Sequence, residues 1–487
     1  MPRSWARCRA PTISAADNAA VAKPVRPRRS LWLQEALALE EDGGETLRQK
    51  LRADVCVVGG GYTGLWTAIR VKELEPAAEV VLIEGDICGG GPSGRNGGFT
   101  LSWWPKIETL IERVGEEEAF WLAHVSQEAV AEIGAFCDFE GIDAHFVQGG
   151  WLWTATSGAQ LGSWEGAAEL AERRGVRPFE LLSAEEVQAR TGSPLHLGAA
   201  FEAGAAKVQP ALLARGLRRA ALARGVRVFE RSPLIELRRG EGVVRTPAGR
   251  VQADAIVLAL GASLARYREV RRAIVPLSSD MVATEPMPER LEESGWTGGE
   301  CVSNCRLMVH YYRTTADGRV AFGRGGGRLA FDGRVSPKFD YNRRQTRELK
   351  RELPWLVPAA KGVKVTHAWG GPIDRTTDGL PFFGTLGGRG RIVYGVGFSG
   401  NGVAPSLTAG KILASSALGR DDEWSRCGLN RGVPGKFPPE PIRFFGGLVV
   451  RSAVRRKERG EDRGKSVDPL TRRLAAFAPA GFFRVNR

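Results

Sequence analysis

Long apolar runs are missing from this sequence: none approaches the ~20 residues of a membrane-spanning helix, so no membrane span is expected. The first thirty residues have no apolar signal-peptide core, and their Arg, Ala and Pro content reads as a disordered basic leader. Cysteine is scarce, with seven among 487 residues, at positions 8, 56, 88, 137, 301, 305 and 427. The set is odd and scattered, and Cys56 lies inside the apolar run Asp54-Val55-Cys56-Val57-Val58. That suits reduced thiols, and with them a cytoplasmic location, better than a disulfide framework. Cys301 and Cys305 have no second Cys/His pair, so no metal site is expected. His124, His145, His196 and His367 show no catalytic spacing.

The middle of the chain also lacks net charge. The formal charge is +14, but residues 1–30 hold seven Lys/Arg against one acid, and residues 421–487 fifteen against eight. Residues 31–420 hold 47 bases and 46 acids. The basicity belongs to the two ends, and nucleic-acid binding by the body is not expected.

What is present is ordinary globular material, 43% apolar with 62 glycines, long enough for two packed domains. A short helix from Leu31 precedes a βαβ unit: an apolar strand Asp54 to Val58, a helix Tyr62 to Leu74 and a strand Val80 to Ile83. Residues 106–190 have a mostly helical pattern, with a strand at Trp151-Leu152-Trp153-Thr154. A helix entered through Gln209-Pro210, a strand Val226 to Glu230 and a hairpin lead to the apolar run Ile256 to Leu260. Short alternating stretches over 275–345 predict an antiparallel sheet. A last strand from Arg391 feeds the helix Pro405 to Leu418; beyond Arg420 come prolines and a basic helix near 448–459.

The stretch Gly59-Gly60-Gly61-Tyr62-Thr63-Gly64 joins the first strand to its helix. Gly59 permits the tight turn, Gly61 the approach of backbone to a pyrophosphate, and Gly64 close packing of helix on strand. The helix's first N–H groups then face the phosphates. Glu84, twenty residues after Gly64, can accept hydrogen bonds from a ribose. This unit marks a dinucleotide without separating NAD from FAD. The next stretch, Gly89-Gly90-Gly91-Pro92-Ser93-Gly94-Arg95-Asn96-Gly97-Gly98-Phe99, can run close under a large planar cofactor, with Ser93 and Arg95 within reach of the pyrophosphate; by composition alone it is equally a flexible surface loop.

Ser93 to Gly98 resembles the second flavin motif of the FAD-dependent amine and amino-acid oxidases, the family of the D-amino-acid, glycine, sarcosine and gamma-glutamylputrescine oxidase type. Leu258-Ala259-Leu260-Gly261-Ala262 is similar to its strand-end Ala-Thr-Gly element, Leu260 replacing threonine, and Glu230 to Leu234 to the turn that meets the adenine. Asp378-Gly379-Leu380-Pro381 and Gly397-Phe398-Ser399-Gly400-Asn401-Gly402 resemble its C-terminal flavin elements. The resemblance covers about residues 50–420. It implies cofactor contacts from Asn96, Gly97, Leu234, Gly261, Gly400, Asn401 and Gly402 beside those of the first motif. Gly371 stands where some members carry a cysteine bound to flavin, so the FAD is expected to be non-covalent.

His310-Tyr311-Tyr312-Arg313 resembles the segment from which related oxidases offer a tyrosine to substrate. Tyr311, Tyr312 and Arg313 are the candidate catalytic residues; Arg313 could clasp a carboxylate, and cross-strand packing is the other reading of the tyrosines. Trp103, Trp104, Trp369 and Asp374 are further candidates.

The expected fold is α/β: a Rossmann-like FAD-binding domain from residues 31–105, 200–275 and 365–420, with a substrate domain on a mainly antiparallel sheet from 106–199 and 276–364. Residues 421–487 would form a basic strap and helix docked on the body or on a second copy, in preference to the other reading, a basic helix resting on an anionic membrane. The implied reaction is oxidation of an amine or amino acid to an imine, electrons passing on to oxygen or another acceptor. A hydroxy-acid dehydrogenase, or a non-catalytic flavoprotein binding a partner through its basic ends, are the alternatives.

Overall fold

Two β-sheets organise the chain in the computed structural model, which describes residues 28–40, 44–387 and 391–480. The leader expected over 1–30 lies outside the described residues except for Arg28 to Ser30.

The first sheet is built from the most apolar strands. Its order is Phe382–Leu386, Arg391–Val396, Arg250–Leu258, Lys50–Val58, Val80–Ile83 and Arg227–Phe229, with Phe382–Leu386 antiparallel at one edge and the other five parallel. Parallel strands are covered on both faces and so read as unbroken apolar runs. On one face lie the helices Tyr62–Leu74, Pro210–Ala223 and Val403–Leu418, packed through Leu65, Ile69, Leu213, Leu217, Leu407 and Leu413. The register pairs Val58 with both Ile83 and Leu258, so the carboxyl ends of three strands finish level. A ligand of such a sheet sits at that edge.

The second sheet runs Val365–Arg375, Val275–Thr284, Val320–Arg324, His310–Thr314, Cys301–Asn304, Trp151–Ala155, Gly198–Glu202 and Glu180–Leu182. All its pairs are antiparallel except Cys301–Asn304 beside Trp151–Ala155. The period of two splits its residues between two cores. Leu152, Val282, Tyr312 and Phe322 face outward beneath the helix Arg343–Leu356. Trp151, Trp153, Met281 and Trp369 lie on the opposite side, in cores that also contain Leu101 and Trp32.

Two expected boundaries need correction. Val365–Arg375, expected in the FAD domain, is the edge strand of the second sheet and pairs with Val275–Thr284 throughout its length. Gly198–Glu202 likewise pairs with Trp151–Ala155. Both segments are flanked by loops, so local pattern does not say which sheet receives them.

The tail is docked. The helix Ile442–Glu461 buries Ala453 and Val454 against Met308, and Glu458 accepts the Met308 N–H at 3.0 Å. Arg443 donates to the carbonyls of Arg271 and Ile274. No helix among the described residues is long and apolar enough to cross a membrane.

Candidate cofactor and substrate site

The level strand ends bring the glycine motifs together. Gly59 has φ +117°, and a Cβ there would come 2.3 Å from the Ala259 carbonyl oxygen of the neighbouring strand end. A Cβ on Gly64 would lie 1.9 Å from the Gly59 carbonyl oxygen. These two contacts explain why the turn tolerates no side chain. Thr63, half-buried, sits in the first turn of the helix, and Gly61 caps that helix without a side chain.

Glu84 ends its strand beside this turn. One carboxylate oxygen accepts the Gly60 N–H at 2.7 Å and the other the Asp86 N–H at 2.8 Å. Burial pushes its pKa up, against the pull of those two bonds. A carboxylate oxygen has more than one lone pair, so ribose hydroxyls would find acceptors already aimed. The loop of Leu234 adjoins it: the Ser232 N–H donates to the Glu84 carbonyl at 2.7 Å, and Leu234 is half-buried. Gly261, at φ +49°, faces open space at the end of the third strand.

The second glycine loop is held by side chains of its own. Ser93 Oγ accepts the Tyr62 N–H at 2.9 Å, which ties the loop to the helix of the first motif. Asn96 donates to the Ser93 carbonyl at 2.9 Å and accepts the Gly98 N–H at 2.7 Å. Arg95, expected at the pyrophosphate, instead staples the loop to the second sheet. Its Nε donates to the Gly90 carbonyl at 2.9 Å, its Nη1 to the Gly370 carbonyl at 3.1 Å, and Asp340 lies 3.5 Å away. A desolvated guanidinium needs such partners, and burial lowers its pKa.

Tyr311, Tyr312 and Arg313 separate by strand period. Tyr311 and Arg313 face the loop. A Cβ on Gly97 would meet the Tyr311 ring at 3.1 Å, and the Tyr311 hydroxyl lies 2.8 Å from Ser279 Oγ. Tyr312 points into the outer core beside Trp296 and Phe322, its hydroxyl 2.7 Å from His196 Nε2. It therefore cannot share a pocket with Tyr311. Arg313 is also corrected as a carboxylate clasp: its Nε donates to the Gly97 carbonyl at 2.6 Å and its Nη2 to the Val208 carbonyl at 2.7 Å, with the guanidinium 4.8 Å over Trp32. Trp103 and Trp104 are fully packed in the first domain's core. Trp369 meets Trp32 edge-on and donates to the Arg95 carbonyl.

The third component is the loop before the helix Val403–Leu418. Ser399 at φ +57° and Gly400 at φ +101° turn the backbone so that Gly402 caps the helix without a side-chain bond. Asp374, buried, accepts the Gly397 N–H at 2.7 Å, and burial pushes its pKa up to about 6. Asn401 donates to the Ser102 carbonyl at 3.2 Å, while its own side-chain oxygen is buried without a hydrogen-bond partner. Such an orphaned atom and an uncapped helix end fit the polar edge of a flavin, whose negative charge on reduction a helix N-terminus stabilises.

The sequence reading missed Ser279, Trp32 and Glu202. Glu202 closes the strand Gly198–Glu202 beside Ser102, and burial pushes its pKa up to about 7. The one available signal was an acid ending the apolar run Gly198-Ala199-Ala200-Phe201. Among the described residues no His/Cys/Asp/Glu group could hold a metal ion.

The sequence profile of a family described as FAD dependent oxidoreductase matches residues 54–416. The chain is similar to the gamma-glutamylputrescine oxidoreductase of Escherichia coli, 32% identical over 379 residues, spanning 77% of this chain and 86% of that one. It is 25% identical over 388 residues to a glycine oxidase of Bacillus licheniformis, spanning 77% of this chain and 95% of that one. The crystal structure of glycine oxidase from Geobacillus kaustophilus superposes with a TM-score of 0.64 at 21% identity, over 80% of this chain and 100% of that one, a likeness of fold.

Proposed function

The chain belongs to the FAD-dependent oxidoreductase family, and on that premise we propose that it oxidises the carbon–nitrogen bond of an amine to an imine, with FAD bound non-covalently. Bound FAD supplies the oxidising chemistry, taking up a hydride from the carbon next to nitrogen. The chain's residues bind, orient and desolvate. Glu84 and the Gly59–Gly64 turn would hold the dinucleotide, and Gly261 leaves it room. The Asn401 side chain and the Val403 helix end would hold the ring's polar edge. Tyr311 keeps its phenol proton, because burial raises its pKa, and so can donate a hydrogen bond to substrate or accept one from an ammonium.

One observation favours an amine over an α-amino acid. Arg313, the cation the sequence offered for a substrate carboxylate, is committed to backbone carbonyls. A cytoplasmic setting is supported by six described cysteines, all unpaired and buried. Oxygen or a separate acceptor would then reoxidise the flavin.

The test is anaerobic mixing of the yellow holoenzyme with amines, amino acids and hydroxy acids. Bleaching by amines first is the expected result; bleaching by hydroxy acids alone overturns it. Acid should release intact FAD into the supernatant, since Gly371 offers no thiol; colour retained on the precipitated chain refutes the non-covalent reading.

A further inference from the structure

The tail helix Ile442–Glu461 has one side fixed on the body and another that no described residue covers. Ile442, Phe445 and Val449 are 63%, 61% and 52% exposed, with Leu448 beside them. Continuing the same spacing of three and four residues, the stripe passes through Ser452 to Arg456 and Arg459, all exposed, with exposed Arg463 in the turn just past the helix end. One face thus changes from apolar to cationic along its length. Phe331, 51% exposed and edge-on to Phe444, widens the apolar end.

We propose that this face docks the protein on an anionic lipid surface. The apolar end would enter the interface while the arginines meet headgroup phosphates, as an interfacial helix does. The helix cannot roll to hide its apolar side, because Ala453, Val454 and Glu458 anchor the opposite one. A second copy is the poorer occupant. In a two-fold contact the same patch meets itself, and residues 421–487 hold fifteen bases against eight acids. Anionic lipid answers both halves of the stripe at once.

The basic end carries a second feature. A cleft of about 290 Å³ opens between the helix and the second sheet, lined by Arg306, Arg324, Arg455, Arg459 and Arg463 against three carboxylates. Burial and then neighbouring arginines lower the pKa of Arg451, next to this cleft, to about 10. Arg306, Arg324 and Arg455 are paired there with Asp462, Glu352 and Glu348, so Arg459 and Arg463 are the cations placed to meet a headgroup phosphate.

Flotation of the full-length holoenzyme with vesicles tests the proposal. The protein should float with phosphatidylcholine vesicles containing phosphatidylglycerol and remain behind with phosphatidylcholine alone. The pairs Phe445→Ser with Val449→Ser, and Arg456→Glu with Arg459→Glu, should each weaken binding about tenfold or more. Flavin content, melting temperature and amine oxidation serve as the folding controls and should stay unchanged. Failure to float, equal binding to both vesicles, or binding indifferent to either pair overturns the proposal. So does a dimer that the Phe445→Ser pair dissociates, which would make a second copy the occupant. Inorganic phosphate that protects the cleft in the absence of vesicle binding points to a soluble anion instead, and also overturns it.

Discussion

The two halves of the site are made from different material. On the first sheet the cofactor edge is mostly backbone: a turn that admits no Cβ at Gly59 or Gly64, an open Gly261, and an uncapped helix end at Gly402. On the second sheet the proposed substrate side is made of side chains whose neighbours decide what they can do. Tyr311 and Tyr312 are adjacent and chemically identical, yet one faces Gly97 and the other is locked to His196 in a different core. A backbone site is a local property, whereas a side-chain site depends on which sheet, which face and which partner the fold supplies.

The comparison breaks most visibly at Gly64. Gly64→Ala should abolish FAD binding, leaving less than roughly a tenth of the normal flavin per chain, because the added carbon meets a carbonyl of the same turn. Visible absorbance of the purified protein measures it. Normal flavin content would show that the turn can open and is not rigid.

Arg313→Ala should be the next largest effect. Two buried carbonyls, those of Gly97 and Val208, lose their donors, at a cost of about 2–4 kcal/mol, read as a fall in thermal or urea stability with reduced flavin occupancy. Substrates with and without a carboxylate should be affected alike. A selective loss of carboxylate substrates would restore Arg313 as a substrate contact.

The tyrosines sharpen the contrast. Tyr311→Phe should lower kcat/KM by about tenfold with FAD retained, the loss of roughly one hydrogen bond near substrate. Tyr312→Phe should leave kcat/KM within about twofold and cost about 1 kcal/mol of stability through the lost His196 contact. Steady-state kinetics and melting curves on the two proteins separate the roles, and an exchange of the two phenotypes would invert the assignment of faces.

The smallest effect is a pH slope. The folded chain holds the Glu202 proton up to about pH 7, whereas the unfolded chain releases it near its ordinary value of 4.5. Between those values the folded state binds more protons, so stability falls as pH rises through the window. Above pH 7 the full penalty applies, up to about 3 kcal/mol for this buried group. Glu202→Gln should therefore show a shallower decline from pH 5 to pH 8 than the parent in urea titrations. Identical slopes would mean that Glu202 is ionised throughout.

The basic ends illustrate a related limit. Charge counting placed the excess at residues 421–487, and the prolines there announced a strap. Composition could not say that Arg443 would be spent on the Arg271 and Ile274 carbonyls while Arg456 and Arg459 faced outward.

Beside the family resemblance that pointed to FAD, the sequence by itself determined a dinucleotide-type turn, the βαβ unit and the positions of the glycine motifs. These depend on properties carried within a few residues: the absence of a Cβ, an apolar run of strand length, and the first amides of a helix. Only the tertiary structure decided which backbone carbonyls Arg95 and Arg313 reach, that Val365–Arg375 joins the second sheet, and that Tyr311 rather than Tyr312 faces Gly97. A buried guanidinium must be satisfied by whichever acceptors the fold brings near, and a strand's period of two sends neighbours to opposite sides. Neither outcome is specified until distant segments have packed.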